Sequence, residues 1–363
     1  MKKIVIVAGD TSGDLYGALL CRELKQRYGP ELALYSCGGE KMARESEQIL
    51  DIQRHSVSGI FEVVRHLKTL AGLLKKCVQK VKTLHPDLVI LIDFPDFNLR
   101  LARTLYPDIP VFYYVSPQVW AWRKKRVLQI KKYIKKMIVI FAFERDFYGT
   151  HQVDALYFGH PLLEVIQKKG FPPQDLITFL PGSRKNEIQR HLGVLREARD
   201  MLAERLPGYR FQILRPRHLD ESLYRPFFPA EEISLHSYDI LESSRFVVSS
   251  SGTATIEIAL LEIPYCVIYK VHPLTWHLIR KLVTVDSIAM ANIVASDRII
   301  DELLQHDANP RAIADTVLEY LTNPVKYGEM KEKLKTLKRM LGPDHATSRF
   351  AEYIGNYLGL SAA

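Results

Sequence analysis

At 363 residues, with 47% hydrophobic and 25% charged residues, the chain has the length of two domains and the composition of a globular protein. No window approaches the roughly eighteen consecutive apolar residues that mark a membrane span, and the longest apolar run, Met137 to Phe143, is strand-sized. An excess of Lys and Arg (50) over Asp and Glu (41) leaves a net charge of +9, which points to an anionic partner: a nucleotide, a nucleic acid or an anionic membrane surface.

Lys3 to Ala8 reads as a buried strand, followed by a turn containing Gly9, Gly13 and Gly17 and a helix patterned by Leu19, Leu20 and Leu24. Met1-Lys2-Lys3 resembles the start of a secretory signal, but the apolar run breaks at Gly9-Asp10, so a cytoplasmic location is expected. The turn lacks both the G-x-G-x-x-G spacing of a dinucleotide site and the lysine of a P-loop. Asp10, Ser12 and Asp14 would cradle a phosphate poorly but suit sugar hydroxyls, while the glycines equally serve close packing of helix on strand. Cys21, Cys37, Cys77 and Cys266 show no C-x-x-C spacing and read as plain thiols.

From Ile60 to Val81, apolar residues at Ile60, Val63, Val64, Leu67, Leu70, Leu74, Val78 and Val81 form one helical face, with Arg65, Lys68, Lys75, Lys76, Lys80 and Lys82 beside it. Such a stripe packs into its own domain or lies on an anionic membrane. Leu88 to Ile92 is the next strand, and it leads directly into Asp93-Phe94-Pro95-Asp96-Phe97-Asn98. Ligands of α/β folds bind beyond the carboxyl ends of strands, so a carboxylate here, ionised at neutral pH, is placed to take a proton from an alcohol. For Asp96, capping of the following helix is an equally good reading. Strands follow at Val111 to Val115, Met137 to Phe141 and Leu156 to Phe158. Between the first two lie Trp120 and Trp122 and the basic residues Arg123, Lys124, Lys125, Arg126, Lys131, Lys132, Lys135 and Lys136. Aromatic residues beside such a charge run suit a bilayer interface, although a charge run is commonly a solvated face. His160, His272 and His277 are candidate ligands or bases, and of these only His160 falls near an expected domain edge.

The alternation of strands and helices pauses at Gly170-Phe171-Pro172-Pro173 and restarts with Leu176 to Leu180, the turn Pro181-Gly182-Ser183-Arg184 and a helix from near Asn186. Further strands at Phe211 to Leu214, Phe246 to Val248 and Tyr265 to Tyr269 complete a second half with the same grammar. The expected organisation is therefore an α/β protein with two Rossmann-like, doubly wound domains and a cleft between them. They span 1–168 and 169–340, and a C-terminal segment, 341–363, can cross back to the first domain. Ser251-Gly252-Thr253-Ala254-Thr255-Ile256-Glu257 stands where a strand turns into a helix, so backbone N–H groups can face a phosphate while Glu257, about one turn in, accepts from ribose hydroxyls. A plain capped helix is the competing reading. Ser183, Arg184 with the amides of its turn, and Lys270 complete a set suited to a departing nucleoside diphosphate. With no Asp-x-Asp pair and no H-E-x-x-H, neither a metal nor a cofactor is expected, and no nucleic-acid module is visible.

Six motifs in order, Ala8-Gly9-x-x-Ser12-Gly13-Asp14, Ile92-Asp93-x-Pro95-Asp96-Phe97-Asn98, Tyr114-Val115-Ser116-Pro117-x-Val119-Trp120-Ala121-Trp122-Arg123, Gly159-His160-Pro161, Leu180-Pro181-Gly182-Ser183-Arg184 and Ser251-Gly252-Thr253-Ala254, resemble the lipid-A-disaccharide synthase family over nearly the whole chain. The resemblance implies a GT-B glycosyltransferase that moves 2,3-diacylglucosamine from UDP-2,3-diacylglucosamine to the 6-hydroxyl of 2,3-diacylglucosamine 1-phosphate, with inversion and release of UDP. It also implies a peripheral position on the cytoplasmic face of the inner membrane, and leaves a homodimer open. Asp93 matches the favoured general base, with Asp96 and Asp10 as further catalytic candidates. Asp10, Ser12, Arg184 and Asn292 match sensitive positions. The donor set is then Arg184, Ser183, Gly252, Thr253, Ala254, Glu257, Lys270 and Asn292, and the acceptor set Ser12, Gly13, Trp120 and Arg123. The chain departs from the family at Asp10, where Glu is usual, and at Met290-Ala291-Asn292 and Ser296-Asp297-Arg298. Another GT-B transferase for a lipid-linked amino sugar, and a basic membrane adaptor without UDP affinity, are the alternatives.

Overall fold

The computed structural model describes residues 1–53, 63–271, 276 and 287–361. Ile60, His272 and His277 lie outside them. The chain forms two compact units, Met1–Pro161 together with Leu341–Ala363, and Leu162–Met340. Each is built on one parallel sheet.

The first sheet contains β1 (Lys2–Ala8), β2 (Leu32–Gly38), β3 (Glu47–Asp51), β4 (Leu88–Ile92), β5 (Val111–Tyr114), β6 (Lys136–Val139) and β7 (Ala155–Tyr157), in the order β3-β2-β1-β4-β5-β6-β7. The second contains β8 (Leu176–Leu180), β9 (Arg210–Arg215), β10 (Ile233–Leu235), β11 (Phe246–Ser250), β12 (Tyr265–Tyr269) and β13 (Asp301–Leu304), in the order β10-β9-β8-β11-β12-β13. All described pairings are parallel. This accounts for the unbroken apolar runs of β4 and β8, in which every residue is buried: a strand covered by helices on both faces has no solvent side for polar residues.

In both sheets the order reverses beside the first strand. The switch points lie between β1 and β4 and between β8 and β11, where helices depart to opposite faces and a crevice opens at the carboxyl ends. Register makes the neighbours explicit: Ala8 pairs with Ile92, so Gly9-Asp10 and Asp93 leave the sheet side by side. Leu180 pairs with Ser249, which brings the Pro181 turn next to Ser250-Ser251-Gly252.

The amphipathic helix is Val63–Leu84, and in its described part Leu73, Cys77 and Val81 are buried in the core with Val5 and Val89. That part of the stripe is a domain-packing face, and Lys75, Lys76, Lys80 and Lys82 point to solvent. The C-terminal helix Ala346–Leu358 packs on the Thr11–Tyr28 helix of the first unit, with the Phe350 ring 4.9 Å from Tyr114. Among the described residues, no helix is long and apolar enough to cross a membrane.

Candidate active site

In the first unit the switch point is acidic. Asp10 is the N-cap of the Thr11–Tyr28 helix: one carboxylate oxygen accepts from Gly13 N–H at 2.7 Å, and Ser12 Oγ lies 3.5 Å from the other. Asp93 follows β4 in a strained turn, because Asp93 (φ +43°) and Phe94 (φ +48°) both adopt the left-handed region that non-glycine residues avoid. Surrounding groups hold the turn in place. Asn98 Nδ2 donates to the carbonyls of Ile92 (3.1 Å) and Asp93 (2.8 Å), Tyr113 OH donates to Asp93 O, and Asp93 N–H donates to Tyr114 O. Gly9 is required by close approach, since a Cβ there would stand 2.3 Å from the Phe94 ring.

The turn brings the Asp93 carboxyl against Asp10. Burial, then the charge of Asp10 and a hydrogen bond with it, push Asp93 up to about 8. The expected carboxylate ionised at neutral pH is thus replaced by a carboxyl that shares a proton with its neighbour. Asp14, read as a sugar ligand, is buried and spent on structure, accepting from the amides of Gly39, Lys41 and Met42 at 2.9, 3.0 and 3.2 Å.

Asp96 takes a different direction. It is exposed in the first turn of the Pro95–Leu105 helix, and its carboxylate pairs with Arg123 and Arg126 rather than with the Asp10–Asp93 pair. It does not cap the helix through its side chain either. Arg123 also lies over the Trp122 ring, 4.2 Å from its centroid. Trp120, expected as an interfacial aromatic or acceptor contact, is buried and donates from Nε1 to Glu144 Oε1 at 3.0 Å. Glu144 also accepts from Phe141 N–H at 3.3 Å, and burial pushes its carboxyl up to about 7. His160 is buried beside Tyr16 and Phe141, and burial pushes it down to about 3, so it is a neutral ring near pH 7.

Among the described residues, the switch point of the second unit has no buried acid pair. Gly252 adopts φ +149°, and the short helix Ala254–Leu260 begins with no side chain capping it. The hydroxyls of the turn face carbonyls instead: Ser251 Oγ donates to Ile288 O at 3.1 Å and Thr255 Oγ1 to Gly252 O at 2.7 Å. Glu257 is half-buried, with Oε2 3.4 Å from His236 Nε2, and it accepts a hydrogen bond from Tyr238. Those two partners are invisible as a set in the sequence.

Three donor assignments change in detail. At the Pro181 turn, Ser183 N–H donates to Glu187 Oε2 at 3.3 Å and Arg184 N–H also reaches Glu187, so a carboxylate already occupies these amides and the exposed Arg184 guanidinium is what remains for an anion. Lys270 donates from Nζ to Ala308 O at 2.9 Å. Asn292, expected against the donor, is buried and internally saturated: Nδ2 donates to Ile300 O (3.0 Å) and Glu302 Oε1 (2.8 Å), while Oδ1 accepts from Ile299 (2.9 Å) and Ile300 (3.0 Å) N–H. It ties the Met290–Ala295 helix to the start of β13 and has no atom left for a ligand. Among the described residues, no cluster of three or more His, Cys, Asp or Glu could hold a metal ion.

Residues 4–356 match the family model of lipid-A-disaccharide synthetase. The lipid-A-disaccharide synthase of Geobacter sulfurreducens is 36% identical over 375 residues, covering 98% of this chain and 97% of the relative. That of Syntrophus aciditrophicus is 37% identical over 369 residues, covering 96% of each. The chain belongs to the lipid-A-disaccharide synthase family. It is thus a glycosyltransferase of lipid A disaccharide synthesis, and another lipid-linked amino-sugar transferase is not favoured. Among solved structures, the S. aureus MnaA–UDP co-structure is similar with a TM-score of 0.68 at 13% identity, covering 99% of this chain and 98% of the other. The calicheamicin glycosyltransferase is similar with a TM-score of 0.62 at 15% identity, with the same coverage. These likenesses concern the fold, which is of the GT-B class with two Rossmann-like units.

Within this lipid-A-disaccharide synthase family member, the residues that sequence reading missed are Glu144, Tyr113, Glu187, His191, His236 and Tyr238. Glu144 carried one faint signal, an acid three residues into a helix that opens on Phe141, which is the spacing of a capping box.

Proposed function

We propose that the reaction is an in-line displacement with UDP as leaving group, in which the Asp10–Asp93 pair receives the proton of the acceptor. The acceptor is 2,3-diacylglucosamine 1-phosphate and the donor UDP-2,3-diacylglucosamine. The acceptor 6-oxygen forms the new bond to the anomeric carbon from the face opposite the leaving group, so the configuration inverts. The bond from that carbon to the diphosphate oxygen breaks, and its electron pair leaves with UDP. The proton of the 6-hydroxyl passes to Asp93, at the end of β4, in its ionised form, the form that gains population as pH approaches 8.

The observation that carries this reading is the pairing of Asp93 with Asp10 at a switch point, where a raised carboxyl is matched to accepting a proton near neutral pH. On the donor side, Arg184 and the Gly252–Thr253–Ala254 turn face the diphosphate, and Glu257, set by His236 and Tyr238, takes the ribose hydroxyls. Lys270 and Asn292 shape this site through Ala308 and Ile300. Ser12, Gly13 and Arg123 are assigned to acceptor binding in this reading. Asp96 belongs to the surface ion cluster with Arg123 and Arg126 and is not the base.

Acylated substrates favour a reaction at a bilayer surface, which this reading puts at the cytoplasmic face. The first unit offers a suitable face in Trp122, Leu128, Lys124, Lys125 and Lys131, all exposed. Incubation with both acylated sugars should release one UDP per disaccharide formed. UDP release without the acceptor, or none with both sugars present and the protein folded, would overturn the reading.

A further inference from the structure

We propose that His191 is a positioning residue of the donor site, a neutral imidazole that fastens the turn after β8 to the backbone after β12. The inference rests on the reading of the second unit as the UDP-sugar half.

His191 lies on the Lys185–Arg205 helix and is fully buried. Its neighbours on the same helix face, Ile188, Leu192 and Leu195, are aliphatic and fully buried, so packing alone would be served by a fourth aliphatic side chain. Instead the ring bridges two backbone groups. Nδ1 is 2.7 Å from Pro181 O, and Nε2 is 3.2 Å from Lys270 N. An amide N–H can only donate, so Nε2 presents its lone pair and Nδ1 carries the proton that goes to Pro181. A second proton on the ring would set N–H against N–H. Burial holds the imidazole below its usual range, and the charges of Lys270 and Arg190 act in the same direction.

The sheet order gives this bridge its meaning. β8 and β12 do not pair; β11 lies between them and continues into Ser251-Gly252. One side chain therefore fixes the two backbone segments that flank the Gly252 turn: the one leading to Arg184 on one side, and Lys270 on the other. Without it, Pro181 O and Lys270 N–H lose their buried partners and both segments are freed to shift. Donor binding should suffer more than the chemistry of donor already bound.

Replacement by Leu, Asn and Gln tests the bridge, with UDP affinity read by calorimetry and donor KM and kcat by UDP release. In His191→Leu, UDP Kd and donor KM should rise at least about tenfold while kcat at saturating donor stays within about threefold. His191→Asn, whose amide nitrogen can stand where Nδ1 donates, and His191→Gln, whose oxygen can reach the Lys270 amide, should each recover part of the affinity. A folded Leu variant with unchanged UDP affinity and donor KM overturns the proposal, as do equal losses in all three variants. Where the Leu variant does not fold, Asn and Gln variants with wild-type affinity at a lowered melting point also overturn it, because the ring is then structural only. If the wild-type protein binds no UDP, it is the donor-half reading that fails, not the bridge.

Discussion

At the ends of β1 and β4 two carboxyls face each other, whereas at the ends of β8 and β11 the chain places small residues, hydroxyls turned onto carbonyls and, at Arg184, a cation. The strand order around both points is the same. The fold thus supplies the location of a crevice, while its chemistry is set by the few residues that leave the strands. The acid side is strained and desolvated, which suits a group that must exchange a proton. The second switch point has no paired acids among the described residues, and its exposed Arg184 guanidinium suits the diphosphate proposed to bind there.

The largest expected effect separates the two points by function. Asp93→Asn removes the proposed proton acceptor and should lower turnover by about 10²–10⁴ while UDP affinity stays within about twofold. Near-normal turnover would remove Asp93 from the role, and a parallel loss of UDP affinity would mean the two points are not independent. Next in size is Glu257→Ala, which removes the proposed acceptor for the ribose hydroxyls and the shared partner of His236 and Tyr238. Hydrogen bonds to a charged group contribute roughly 1.5–3 kcal/mol, so UDP should bind about 10- to 100-fold more weakly in calorimetry. Unchanged affinity would sink the ribose assignment.

A smaller effect probes the coupling inside the acid side. The charge of Asp10 is one cause holding Asp93 high, burial being the larger. In Asp10→Asn that charge is gone, the Asp93 carboxyl should drop, and the acid limb of kcat/KM against pH should move to lower pH. A limb that stays in place would show that the two carboxyls do not share the titration.

What the sequence made legible follows from range. The continuous apolar runs at β4 and β8 declare buried parallel strands, and Asp93 directly after one of them declares a residue at a carboxyl end. That Asp93 meets Asp10 was not legible, because the two come together only when β1 and β4 pair. Glu144 meets Trp120 across 24 residues, and His191 meets Lys270 across 79, each from a helix with several polar residues beside it, so nothing local marks the one that turns inward. Asn292 misled in the opposite sense. A position whose sensitivity suggests ligand contact has both side-chain polar atoms engaged by Ile299, Ile300 and Glu302. Tertiary saturation of a side chain is a property of its neighbours, and periodicity does not report it.

The last expected effect is on stability rather than on turnover or affinity, and it follows from the same pair. Asp93 ionises at 3.8 in an unstructured chain and at about 8 in the folded protein. Below the lower value both states hold the proton and the carboxyl costs nothing. Between the two values the unfolded chain releases its proton while the folded one keeps it, so stability falls as pH rises and levels off above the folded value. Asparagine carries no such proton, and the melting point of Asp93→Asn should therefore overtake that of the wild type as pH rises from 4 to 8, each kcal/mol recovered raising it by roughly 2–4 °C. Asp96→Asn is the contrast, since its exposed carboxylate loses only surface pairing with Arg123 and Arg126 and should show no widening gap. Equal behaviour of the two variants across that range would mean that the Asp10–Asp93 pair is not strained by its burial, and the difference between the two switch points would then be one of residue type alone.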